Sequence, residues 1–202
     1  MSEIVVFGAG GRAGQQAVAE ARRRGHRVTA VVRDPAKYGL PDAVAGDVTD
    51  AARVAELTKG KDAVISAAAV YGAGTDPQKF FTDSARALAA VNSRVIVVGL
   101  SSLLADESGE LMMDTPGFPA EFRPFCLAHR DGLDILRATD GLDWLYVSPA
   151  GDFYHEGDRA GHYRISEHGD AAARITYADF APALLDEAET PKHTREHLAV
   201  TL

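Results

Sequence analysis

Short, unbroken apolar runs alternate along this chain with stretches in which apolar residues recur every three or four positions. Ile4-Val5-Val6-Phe7 is the first run, of the kind expected for a parallel strand buried on both faces. Residues 13–24 then read as a helix whose small face, Ala13, Ala17, Val18 and Ala21, can sit close to a sheet, with Gly25 as its stop. A second strand is expected over 27–32, ended by Arg33-Asp34-Pro35, and a short third over 43–45. Thr49 or Asp50 can cap a helix over 52–57. A fourth strand over 62–69 precedes a helix carrying Phe80, Phe81, Ser84, Ala85 and Leu88, and a fifth covers 94–99. Such alternation implies right-handed crossovers and a doubly wound parallel sheet.

The second half is less regular. Residues 101–119 read as a loop with a short helical piece. A helix is expected over 121–139, with Phe122, Cys126, His129, Leu133 and Leu136 on one face. A sixth strand over 143–148 ends at Pro149, and 151–161 is loop-like. Short strands are expected at 163–165 and 173–175, then a helix over 181–188 behind the capping-box-like Thr176-x-x-Asp179, then a last strand over 197–201. With no long linker and no internal repeat, the expectation is one α/β domain over residues 1–202. Its small C-terminal substrate lobe would come mainly from 100–128 and 150–175.

The glycine-rich turn after the first strand carries the most chemistry. Gly8, Gly10, Gly11 and Gly14 lie between that strand and the first helix, spaced as Gly8-x-Gly10 or as Gly8-x-x-Gly11-x-x-Gly14. Glycines let the backbone approach a pyrophosphate, whose charge then faces the helix N–H groups and dipole. Arg33 stands where dinucleotide folds place an acid for the adenosine 2′-hydroxyl. An arginine there can pair with a 2′-phosphate, and Arg12 in the turn adds charge, which favours NADP and leaves NAD possible. The alternative is a solvated strand-end arginine, with Asp34 starting a turn. Asp47 can accept a bond from an adenine amino group while Val48 packs on the ring, or Asp47 is only a turn residue. Ser66-Ala67-Ala68-Ala69 leaves room for a ligand at the carboxyl edge of the sheet, or serves close helix–sheet packing. Ser101 and Ser102 follow strand five at the same edge. His129 shares a helical face with Phe125 and Phe122, and Tyr154, His155 and Tyr163 fall in the later loop.

Composition narrows the partners. Across 202 residues, 21 Lys and Arg face 29 Asp and Glu, a formal charge of −8, which argues against nonspecific binding to nucleic acid or anionic membranes. The single cysteine, Cys126, excludes an internal disulfide and a cysteine-based metal site, and no histidine pair has metal-ligand spacing with a carboxylate, so no metal is expected. With neither a signal-peptide pattern nor a long apolar stretch, a cytoplasmic protein is expected, monomeric or homodimeric.

The run Val5-Val6-Phe7-Gly8-Ala9-Gly10-Gly11-Arg12-Ala13-Gly14 resembles the start of atypical short-chain dehydrogenases. Val31-Val32-Arg33-Asp34, Gly46-Asp47-Val48, Gly60-Lys61-Asp62-Ala63-Val64-Ile65, Gly141-Leu142-Asp143-Trp144 with Pro149, and Ile175-Thr176-Tyr177-Ala178-Asp179-Phe180-Ala181 extend the likeness over nearly the whole chain. The closer resemblance is to the NAD(P)H-binding, NmrA-like group that includes biliverdin reductase B (flavin reductase) and small bacterial NADH-flavin reductases. It implies a Rossmann-type fold with cofactor contacts from Gly8, Gly10, Gly11, Arg12, Ala13, Gly14, Arg33, Asp47, Val48, Ala67, Ala68 and Pro149. Ser101, Ser102 and His129 would line the acceptor side, with Ser101 and His129 as candidate catalytic residues. The Tyr-x-x-x-Lys pair of ordinary short-chain dehydrogenases is missing, since Phe125 and His129 occupy its two positions. Phenylalanine transfers no proton, so alcohol–ketone chemistry gives way to hydride transfer onto a flavin, quinone or similar small planar acceptor. A non-catalytic dinucleotide sensor is the alternative, and a sugar-nucleotide epimerase a third that the missing pair argues against.

Overall fold

The computed structural model describes residues 1–40 and 42–202. Strand β1 (Glu3–Phe7) leads through the glycine turn into α1 (Arg12–Arg23), followed by β2 (Arg27–Val32), α2 (Pro35–Tyr38) and β3 (Val44–Ala45). Next come α3 (Ala51–Thr58), β4 (Ala63–Ser66), α4 (Pro77–Ala89) and β5 (Arg94–Val98). The second half adds α5 (Arg123–Ala138), β6 (Trp144–Pro149), β7 (Asp152–Phe153), β8 (Arg164–Ser166), β9 (Arg174–Ile175), α6 (Tyr177–Glu189) and β10 (Glu196–Thr201).

Eight strands form one sheet in the order β3-β2-β1-β4-β5-β6-β10-β8. The first seven are parallel, while β8 runs antiparallel to β10 at the edge, a departure from the all-parallel sheet expected. The chain between β8 and β10 passes through β9 and α6, and β8 closes the sheet as its edge strand beyond β10. Strand order reverses between β1 and β4, the place where doubly wound sheets open a crevice at their carboxyl ends.

Alternate residues of each strand serve opposite faces. Ile4, Val6, Ile65, Ile96 and Leu145 join the layer covered by α1 and α6, with Ala17, Ala21, Phe180 and Leu184. Val5, Phe7, Val64, Val95 and Trp144 join the layer under α4 and α5, with Leu88, Leu133 and Leu136. The small face of α1 is therefore a packing device, and Gly25, at φ +83°, lies just beyond the helix as expected.

Several boundaries moved for local reasons. Asp34 accepts the Ala36 N–H (3.1 Å) and caps the short α2, where only a turn was expected. Asp50 is the cap of α3. Strand β4 ends at Ser66 rather than at residue 69, although the Ala67 N–H still donates to the Phe7 carbonyl. Helix α6 begins directly behind Thr176, four residues earlier than expected, because Thr176 accepts the Asp179 N–H. Phe122 leaves the buried face expected for it. It sits in a 3₁₀ turn ahead of α5 and is 57% exposed, whereas Cys126, His129, Leu133 and Leu136 are buried.

Candidate functional site

The turn between β1 and α1 is built by close backbone approach. Gly8 has φ +74°, and a Cβ there would come within 2.6 Å of the Ala67 backbone. A Cβ on Gly14 would stand 2.1 Å from the Gly8 carbonyl oxygen, so Gly14 seats α1 on the turn. Gly11 differs. As the N-cap of α1, at φ −80°, it would hold a Cβ no closer than 3.4 Å to any protein atom. Its freedom from clashes means that space above it is open for something other than protein. The first turn of α1 receives no side-chain cap and holds no acidic residue, which leaves its N–H groups and positive dipole end available to an anion.

These groups face a crevice lined by Gly8, Gly10, Gly11, Arg33, Gly46, Asp47, Val48 and Ala67–Ala69, with Tyr38 and Phe80 at its sides. Arg33 is exposed and makes no hydrogen bond or ion pair among the described residues. Asp47 uses Oδ1 for its own turn, accepting the Thr49 N–H (2.9 Å) and hydroxyl (2.8 Å), and keeps Oδ2 for the crevice. A dinucleotide fits this set: glycine path and uncapped helix for the pyrophosphate, Arg33 for negative charge, Asp47 and Val48 for a base.

Other expected cofactor contacts lie elsewhere. Arg12 turns away from the crevice and donates to His155 Nδ1 (2.7 Å), tying α1 to the loop after β7. Ala13 and Gly14 offer backbone N–H groups rather than side chains. Pro149 is buried in β6, paired with Val200, and does not line the crevice. Tyr38 went unnoticed in the sequence. It lies so near Gly10 that a Cβ there would meet its ring at 2.4 Å, and no periodicity marks it because α2 is a single turn.

From Ala69 the chain passes through Val70 to Tyr71 and into a second, much larger cleft of about 1330 Å³. The segments following β5 and β6 enclose it, and Ser101, Ser102, Phe125 and Cys126 line it. Tyr71 stacks on Phe125 with ring centroids 4.8 Å apart. Tyr154, His155 and Tyr163 do not line this cleft, and Tyr163 instead donates to Asp186 (2.5 Å).

His129 does not reach this cleft either. The α5 face it shares with Phe125 is pressed onto α4, with the Phe81 ring 3.6 Å from the imidazole. His129 Nδ1 shares a hydrogen bond with the Tyr146 hydroxyl (2.7 Å), and Nε2 is buried without a protein partner. Together with Ser66 and Ser84 it lines a cavity of about 30 Å³, room for a single water. Burial pushes the His129 pKa down to about 3. His197, held by Ser148 (2.7 Å), is likewise pushed down to about 3, chiefly by burial. Both rings are neutral at physiological pH. Burial also raises the Tyr146 hydroxyl far above its usual range, so the pair does not ionise near neutrality.

Comparison with known proteins assigns the class. Residues 8–191 match a family described as NAD(P)H-binding, and the chain belongs to that family. It is an NAD(P)H-binding protein, with a fold consistent with NmrA-like atypical short-chain dehydrogenases. Among its relatives is the uncharacterized protein YwnB of Bacillus subtilis, 35% identical, with 98% of this chain and 97% of that protein aligned. A solved structure from Streptococcus pneumoniae, described as a putative NADH-flavin reductase, is 34% identical with a TM-score of 0.84, covering 100% of this chain and 99% of that one. A Burkholderia pseudomallei structure described as a putative exported protein is 33% identical over the full length of both chains, also at 0.84. Among the described residues no helix is long and apolar enough to cross a membrane.

Two outcomes follow from this geometry. Gly11→Val should fold normally, since the nearest protein atom is 3.4 Å from a Cβ, yet fill the crevice and abolish cofactor binding. Circular dichroism together with NADPH titration checks both halves. The second outcome concerns acid. Below about pH 6.5 the unfolded chain protonates His129 and His197 while the folded chain does not, so stability falls as pH drops toward 3. Each histidine contributes up to about 1.4 kcal/mol per pH unit. Urea unfolding of the parent and His129→Gln between pH 7.5 and 5 should show the shallower dependence in the variant.

Proposed function

We propose that the protein transfers hydride from NADPH to a small planar acceptor such as a flavin or quinone. The observation that carries this reading is the continuity of the two sites. Ala67–Ala69 line the crevice, and two residues later Tyr71 stacks on Phe125 as a wall of the large cleft. A flat ring resting on that wall would lie beside the end of a cofactor held in the crevice. The Streptococcus pneumoniae relative, described as a putative NADH-flavin reductase, supports the choice of acceptor.

In this reading Gly8 and Gly11 would admit the pyrophosphate to the backbone, and the first turn of α1, through Arg12, Ala13 and Gly14, would donate N–H groups to it. Arg33 would hold the 2′-phosphate, Asp47 and Val48 the adenine, and Ala67 and Ala68 would leave room for the nicotinamide ribose. Residues 100–128 and 150–175 would act as the substrate lobe, with Ser101 placed to hydrogen-bond an acceptor carbonyl. The bound cofactor supplies a hydride, and the acceptor completes its two-electron reduction with a proton from water. The protein then acts mainly by aligning two flat rings. The decisive experiment is an NADPH-oxidation screen over flavins, quinones and carbonyls. Tight NADP binding with no oxidation across that panel would instead make the protein a sensor.

Arg33 sets the expected cofactor preference. Asp34, the next residue, accepts the Ala36 N–H through Oδ1 and caps α2. Charge-assisted bonds to a 2′-phosphate contribute roughly 1.5–3 kcal/mol, so Arg33→Ala should weaken NADP binding about tenfold or more and leave NAD nearly unchanged. Calorimetric titration of both cofactors reads this, and equal affinity for the two in the unmodified protein would sink it.

With His129 buried and neutral, it does not supply the proton. His129 should add no limb near pH 6.5, so the kcat profiles of the parent and His129→Gln should coincide in shape, and the variant should cost much less than the ~10²–10⁴-fold typical of a lost general acid. A limb near pH 6.5 that disappears in the variant, with a hundredfold loss of rate, would make His129 catalytic after all.

A further inference from the structure

The large cleft has walls of two kinds. One is aromatic: Tyr71 is 70% exposed and stacked on Phe125, and Phe122 stands exposed beside them. The other is acidic. Asp106, Glu107, Asp152, Glu167 and Asp170 all line the cleft, and none takes part in an ion pair among the described residues. Where they are bonded, the donors are neutral: Ser108 and the Glu110 N–H on Asp106, the Phe153 N–H on Asp152, the Ala172 N–H on Asp170. The hydroxyl of Ser108 above all holds the Asp106 carboxyl below its usual range. Against five carboxylates the lining has one permanent cation, Arg174, opposite Asp152 in the β7–β9 pair, and its guanidinium is spent on the Ala171 and Ala173 carbonyls.

A separate feature points to a ligand in the same cleft. Ser102, only 7% exposed, lies in the cleft lining with the Cys126 thiol, a weak partner, beside its Oγ and no oxygen or nitrogen partner among the described residues. A buried hydroxyl left unsatisfied is costly unless a bound group or water completes it. A carbonyl or ring nitrogen at the edge of a stacked heterocycle is such a group.

We propose that this cleft selects planar aromatic acceptors that are uncharged or cationic, stacked on Tyr71 and Phe125 and hydrogen-bonded by Ser102, and discriminates against anionic ones. The inference rests on the reductase reading and narrows its substrate class. Aromatic faces attract any flat ring, and a cation gains further from them. The unpaired carboxylates decide between rings of equal shape, because each repels a phosphate, sulfonate or carboxylate substituent. The cofactor's own phosphates would escape this repulsion, since the proposed reading puts them in the other crevice, which Arg33 lines.

Riboflavin and FMN test this cleanly, since they share one ring system and differ by a phosphate. Methylene blue supplies a planar cation. Binding of each to the NADP⁺-saturated protein is followed by fluorescence quenching or equilibrium dialysis at about 20 mM and about 500 mM NaCl. At low salt riboflavin should bind about tenfold more tightly than FMN, and methylene blue at least as tightly as riboflavin. The riboflavin–FMN ratio should fall toward one at high salt. Glu107→Gln/Glu167→Gln should narrow it at low salt; neither glutamate makes a hydrogen bond among the described residues, so the fold should stand. Ser102→Ala should weaken riboflavin and FMN alike. FMN binding as tightly as riboflavin at low salt, a ratio indifferent to salt and to the double variant, or no binding of any ring would each overturn the proposal. NADPH oxidation, measured in parallel, separates the two readings. Absence of turnover with the charge preference intact would refute the reductase and keep the selective cleft. Turnover that favours FMN would keep the reductase and refute the selection.

Discussion

Close backbone contact at the β1–α1 turn sets the geometry of everything else in the molecule. Gly8 lies against the Ala67 backbone, and Gly14 against the Gly8 carbonyl, at separations that leave no space for a side chain. Helix α1 is thereby brought down on the ends of β1 and β4, at the point where strand order reverses. Its uncapped N-terminus then faces a crevice instead of solvent or another part of the chain. The same contact fixes the path out of β4, and with it the position of Tyr71 against Phe125. One tight turn thus places both the glycine-lined crevice and the first wall of the large cleft.

The interior beside that wall is more polar than a simple packing core. His129, Tyr146, Ser148 and His197 are largely buried and bonded in pairs, His129 Nδ1 with Tyr146 and Ser148 with His197, while His129 Nε2 faces the small cavity without a protein partner. Desolvation keeps both imidazoles uncharged. A side chain that looks like a proton donor when its helix is viewed alone becomes a neutral supporting group behind Phe125.

Charge is divided between the two sites. The crevice holds the unpaired Arg33 and the positive end of α1, while the large cleft holds five unpaired carboxylates and one engaged arginine. The chain's net charge of −8 gives no hint of this division. In the proposed reading, an anionic dinucleotide would be drawn to one site and repelled from the other, which would sort the two ligands electrostatically.

The parts written by short-range rules could be read from the sequence. Apolar runs and helical spacing place β1, β2, β5 and α1 within a residue or two, since their periods follow directly from strand and helix geometry. The glycine turn, Arg33, Asp47 and Val48 were visible because each sits at a fixed distance from the strand that carries it. Tertiary packing decided the rest. Whether His129 faces a ligand or the core depends on how α5 docks on α4, and its own helix does not encode this. The antiparallel edge strand β8, the diversion of Arg12 to His155, and Tyr38 over Gly10 all arise from contacts between segments far apart or too short to be periodic. The acidic, aromatic cleft is the clearest case. Its residues come from chain segments between 71 and 174, and no pattern along the sequence brings them together before the sheet does.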